Sequence, residues 1–168
     1  MWLRTVLCLL AAGVTASSAL AETTNSQCGL SDVKDIRDLQ TALQNRAIEA
    51  INLAASGTNE SRLRQLVDSS AVFSTGSGDV GGPIGKGVAG IRMLAKDMEA
   101  DKYRAFEWSG LPYRVFNACD TQEANVEFTN TSGRESFDVK FKFNFGRIVG
   151  AETWLRSFST GALESVRK

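Results

Sequence analysis

Residues 135–154 read ESFDVKFKFNFGRIVGAETW. Phe137, Val139, Phe141, Phe143 and Phe145 alternate with Ser136, Asp138, Lys140, Lys142 and Asn144, so a β-strand here has one apolar and one polar face. Gly146 separates this run from RIVGAETWLRSF, and a glycine between two such runs predicts an antiparallel hairpin. A sheet wet on one side must be covered on the other, so helices have to come from elsewhere in the chain.

They lie upstream. In SDVKDIRDLQTALQNRAIEAINLAASG, residues 31–57, the positions Ile36, Leu39, Leu43, Ala47, Ile51 and Ala54 recur at steps of three and four and form one apolar stripe. Ser31 or Asp32 is the expected cap and Gly57 the expected stop. A short second helix is predicted from Asn59, with Leu63, Leu66 and Val67 on one face, and it runs into a strand, AVFST. A third helix carries Val88, Ile91, Leu94, Ala95 and Met98 on its apolar face. Beyond Asp101 the period changes to two, and YRAFEW, PYRVF and ANVEFTNT read as further strands before the hairpin.

Between the first strand and the third helix stands GSGDVG, residues 76–81, which matches the G-x-G-x-x-G of dinucleotide-binding loops. The context excludes that function. Gly82, Pro83, Ile84 and Gly85 intervene before a helix can start, and the downstream segments read as hairpins rather than alternating strands and helices. A phosphate loop fails too, since Val80 stands at its first glycine and Gly87 at its Ser/Thr. The stretch reads as a flexible connector, and a loop so rich in glycine could serve as a lid over a pocket.

The first 21 residues have the form of a secretory signal: Arg4, the short apolar run VLCLLAAGV, and Ala19-Leu20-Ala21 before the expected new N-terminus at Glu22. Residues 22–158 are then one domain and 159–168 a tail, exported to the periplasm or medium, with no membrane segment after signal removal. Cleavage leaves 18 basic and 19 acidic side chains, a balance with no footprint for nucleic acid. It also leaves two cysteines, Cys28 and Cys119, which in an oxidising compartment are expected to pair. The chain contains no histidine, which excludes Ser-His-Asp and Cys-His nucleophile systems and histidine-based zinc or haem sites. Neither a metal nor an organic cofactor is expected.

The helix entry GKGVAGIRMLAKDM and the hairpin ESFDVKFKFNFGRIVGAETW, with Phe145-Gly146-Arg147-Ile148 at its turn, resemble the nuclear transport factor 2-like superfamily, and within it the SnoaL-like and steroid-isomerase-like domains. The resemblance spans about Ile36 to Phe158. It implies an α+β fold in which three N-terminal helices pack on a strongly bent antiparallel sheet, a cone enclosing an apolar pocket. In the enzymes of that superfamily the pocket holds an Asp base with Tyr or Asp donors, a set with no residue-by-residue counterpart here.

Which polar groups face inward depends on the last strand. If Ile148 points in, so do Gly150, Glu152 and Trp154, and a buried Glu152 becomes a candidate for proton transfer. If Val149 points in, Ala151, Thr153 and Leu155 share its face, and Glu152 is a solvated carboxylate; this second face is the more uniformly apolar. Candidate ligand contacts are Trp108, Tyr113, Phe128, Asn130, Phe141, Phe143 and Trp154, with the Phe series serving the core first; Asn130 also reads as a turn-flanking residue. Asp97 lies off the apolar stripe of its helix and is expected in solvent.

Three function classes fit these residues: a module binding a small, largely apolar or amphiphilic molecule; a cofactor-independent isomerase or lyase using a buried carboxylate such as Glu152; and a homodimeric interaction module. Intact-mass measurement of the protein recovered from a secreting host is expected to show a chain beginning at Glu22. A mass retaining residues 1–21 would remove the export reading.

Overall fold

The carboxylate of Asp35 accepts hydrogen bonds from the backbone N–H groups of Arg37 and Asp38, and the first long helix, α1, starts there and runs Ile36–Ser56. This is a computed structural model, and it describes residues 25–77 and 80–157. The cap falls later than Ser31 or Asp32, because Val33 N–H bonds back to Leu30 C=O in a turn and Ile36 N–H is taken by Tyr113 C=O. Gly57, at φ 67°, closes the helix through its N–H to Leu53 C=O. The expected stripe is buried, and Gln44 is buried beside it, its amide donating to the carbonyls of Phe106 and Asn125. The helix α2 (Glu60–Leu66) is capped by Asn59, and α3 (Gly87–Met98) buries Ile91, Leu94, Ala95 and Met98.

The helices lie on one six-stranded sheet ordered β2-β1-β6-β5-β4-β3, with β1 Val67–Ser77, β2 Val80–Lys86, β3 Lys102–Ala105, β4 Gln122–Asn130, β5 Glu135–Asn144 and β6 Arg147–Ser157. The fold is α+β, with two helices ahead of a curved sheet and the third between β2 and β3. Strands β4, β5 and β6 form the expected antiparallel meander. The sheet is nevertheless mixed: β6 returns beside β1 and pairs with it in parallel, a long-range contact that local hairpin signals do not encode.

Two expected strands are reduced. YRAFEW pairs only over β3, and PYRVF lies in an irregular segment with one backbone bridge, Asp35 to Arg114, and Val115 packed on the core. The glycine-rich stretch departs the other way. Instead of a flexible connector it is a hairpin, β1 against β2, with Gly76 opposite Gly81 and Ser77 opposite Val80; the lid expected of the Gly76–Gly87 stretch thus falls on paired strands, and its residues 78–79 lie outside the described residues. Its glycines serve close packing. A Cβ at Gly76 would stand 2.9 Å from the Trp154 ring, and one at Gly90 of α3 would stand 2.6 Å from the Gly85 carbonyl carbon.

Cys28 and Cys119 are disulfide-bonded, with Cα atoms 5.7 Å apart. Arg46 of α1 clamps the same corner, its guanidinium donating to the carbonyls of Cys28 (3.1 Å), Gly29 (2.5 Å) and Gly146 (2.6 Å). Burial pulls the Arg46 pKa below its ordinary value, though an arginine so far above neutrality keeps its charge. The bond closes a loop of 91 residues, so Cys28→Ser with Cys119→Ser is expected to cost about 4–5 kcal/mol in denaturant unfolding. A loss below about 1 kcal/mol would show that Arg46 and the core hold this corner without it.

Candidate functional site

The decisive local feature is a β-bulge in β6. Lys142 pairs with Gly150 but Phe143 pairs with Ile148, so Val149 is an extra residue. One inserted residue switches every later side chain to the opposite face. Ile148 is therefore buried, and beyond the bulge so are Ala151 and Thr153, while Glu152 and Trp154 turn outward. The sequence offered two alternatives for this strand; the protein uses one on each side of Val149.

Glu152 accordingly loses its candidacy for proton transfer. It lies on the outer face in a 2.5 Å ion pair with Lys142, with Lys140 directly across the strand pair. The hydrogen bond from the Lys142 ammonium is the main influence holding its carboxyl below the usual glutamate range. Any stability it lends is present above the ordinary glutamate pKa and fades as pH falls through the lowered value.

Below the sheet's inner face a cavity of about 600 Å³ opens between the β1–β2 hairpin, the end of α3, the start of β5 and the end of β6. Ile84, Met98, Phe137 and Leu155 supply apolar wall, Thr153 a hydroxyl, and Asp97 and Glu135 carboxylates. Thr153 is 2% exposed and its Oγ1 finds no hydrogen-bond partner among the described residues. Burying a hydroxyl unbonded costs about 1–3 kcal/mol, and this oxygen lies beneath the cavity's surface rather than on it. A larger concavity of about 810 Å³ runs beside the start of α1, past Asp32, Lys34, Asp35, Tyr113 and Arg114. It is walled largely by exposed polar segments, and none of its described residues has a buried side-chain atom lacking a partner.

None of the ligand contacts expected from sequence lines the 600 Å³ cavity. Phe128, Phe141 and Phe143 are packed core, the first two edge to face with centroids 6.3 Å apart. Asn130 serves the turn after β4, its side-chain oxygen accepting from Ser132 Oγ and Gly133 N–H. Trp108 and Tyr113 pack edge to face at 6.0 Å in the irregular segment before β4, both with exposed surface. Trp154 is 48% exposed on the outer face over Gly76. Thr153 was legible as the one hydroxyl on the Val149–Leu155 face. Asp97 is exposed as expected, yet it edges the cavity because Met98, its neighbour, is the last buried residue of α3.

No family model and no curated protein matches the sequence. Solved structures with a similar chain path include a cystatin-like fold protein from Burkholderia xenovorans (13% identity, TM-score 0.46, covering 74% of this chain and 96% of that one). Another is a nuclear transport factor 2-like protein of unknown function from Methylobacillus flagellatus (17% identity, TM-score 0.45, 70% and 91% covered). A third is a provisionally named isomerase from Rhodopseudomonas palustris (15% identity, TM-score 0.44, 74% and 97% covered). These likenesses concern chain path alone.

Thr153→Val keeps the shape of the side chain and removes the unpartnered hydroxyl. It is expected to raise the unfolding free energy by about 1 kcal/mol, measured by urea denaturation. A loss of stability of similar size would mean that the hydroxyl is satisfied in the ligand-free protein.

Proposed function

We propose that this chain is an exported small domain, residues 22–158 with a short tail, that holds a small, largely apolar ligand in the cavity beside Thr153. The observation that carries the reading is the cavity itself, whose apolar wall is supplied by Ile84, Met98, Phe137 and Leu155. A cavity of about 600 Å³ falls within the roughly 300–1,000 Å³ usual for small-molecule sites, which combine apolar walls with a few placed polar groups. Export is supported by the signal-like first 21 residues and by the disulfide, and no described helix is long and apolar enough to cross a membrane.

A second reading, a cofactor-independent isomerase or lyase, now rests on Asp97 and Glu135, carboxylates that edge the same cavity. A homodimer formed through the outer sheet face would have to cover four ion pairs there: Arg104–Glu127, Lys140–Glu123, Lys142–Glu152 and Arg156–Asp138. Removing such pairs from water is costly, which disfavours that interface.

Titration with Nile red, a neutral dye that brightens in apolar surroundings, is expected to show one site per chain. Leu155→Trp, which fills the cavity from its wall, should weaken that site at least tenfold, about 1.4 kcal/mol, while Trp154→Ala on the outer face leaves it unchanged. Equal binding by both variants and the parent, with unchanged circular dichroism, would overturn the reading.

A further inference from the structure

Gly82 stands in strand β2 with no structural need to be glycine. Its φ lies outside the left-handed region that favours glycine, and a Cβ built on it would meet no atom within 4 Å. Every other glycine among the described residues has either a positive φ or a neighbour inside that distance. In the same hairpin Gly76 lies under the Trp154 ring, Gly81 against the Thr75 carbonyl and Gly85 against Gly90. Glycine inside a strand costs stability, because it loses the most freedom on folding and has no side chain to pack in return. Pairing fixes where the open space lies. Gly82 is directly opposite Thr75, which is in turn directly opposite Thr153. Directly paired residues share a sheet face, and this face carries the buried Phe73 and Ala151. Gly85, opposite Phe73, packs from the same face onto α3. A side chain at Gly82 would therefore project from the helix-covered side of the hairpin, where Gly82 and Thr75 both line the cavity of about 600 Å³.

From these features we infer that Gly82 is a specificity-determining residue, kept without a side chain so that the broad part of an apolar ligand fits against the hairpin wall. The inference rests on the reading that this cavity binds a ligand, and it adds the position that limits the ligand's breadth. A methyl or isopropyl group at this position takes up space inside the cavity without touching the rest of the fold. A broad, rigid body has nowhere to move in response, because the opposite wall is packed side chain. A narrow, flexible chain shifts toward Ile84 and Leu155 and keeps its contacts. Discrimination of this kind comes from a clash with the wrong ligand rather than from a new attraction to the right one.

The test measures two alcohols of unlike breadth, the cage 1-adamantanol and the linear 1-hexanol, by isothermal titration calorimetry on the parent, Gly82→Ala and Gly82→Val. Affinity for 1-adamantanol is expected to fall about threefold in Gly82→Ala and at least about tenfold in Gly82→Val, and that for 1-hexanol less than about twofold in either. The urea midpoint of both variants should equal or exceed that of the parent, since each substitution adds strand propensity where a Cβ meets open space. A glycine kept for backbone freedom instead would lose both alcohols alike, already at Gly82→Ala, and lower the urea midpoint. Equal losses, no loss of 1-adamantanol, a lowered midpoint, or failure of both alcohols on a parent that still binds Nile red overturns this inference and leaves the pocket reading standing. Failure of both alcohols and of Nile red on the parent overturns both.

Discussion

A single inserted residue, Val149, sets what this protein presents inside and outside. Strand β6 is the seam of the sheet, antiparallel to β5 on one side and parallel to β1 on the other. A regular strand burying Ile148 would also bury Glu152, and an unpaired carboxylate in that core would be prohibitively costly. The bulge lets both halves of β6 bury apolar positions, and β1 answers it with its own irregularity between Val67 and Val72. Its consequence is that Glu152 and Trp154 lie on the outer face and Thr153 is buried at the base of the cavity.

The two sheet faces are thereby separated in chemistry. Outside, Glu127 and Asp138 stand directly opposite each other, a like-charged pair that alone would repel. Arg104 reaches Glu127 at 2.6 Å and Arg156 reaches Asp138 at 2.5 Å, so each is neutralised from a flanking strand. Inside, the rings of Phe128, Phe141 and Phe143 fill the centre of the meander, and the cavity opens where β5 and β6 meet the β1–β2 hairpin. The hairpin reaches that place because its glycines allow contact: Gly85 lies against Gly90 of α3, and Gly76 lies under Trp154. The opposite end of the molecule is locked by Arg46, the disulfide and Gly146, which at φ 71° has no room for a side chain beside the guanidinium.

Local chemistry alone determined much of this protein. The period-two run from Phe137, the three-to-four spacing from Ile36 to Ala54, and the turn at Gly146 specify a helical layer over a meander, because amphipathic elements must bury one face whatever surrounds them. The two cysteines left after Glu22 specified the disulfide, and Gly82–Gly85 ruled out a nucleotide loop. Only the tertiary structure decided the parallel β1–β6 pairing, the ordering of the glycine-rich stretch into a hairpin, and the bulge at Val149. Each depends on partners far away in sequence: Trp154 for Gly76, Gly90 for Gly85, and β1 and β5 together for β6. The candidate site belongs to that second class. Thr153, Asp97 and Glu135 share no motif or spacing, and they meet because a one-residue slip in β6 buries Thr153 beside the end of a helix and the start of a neighbouring strand.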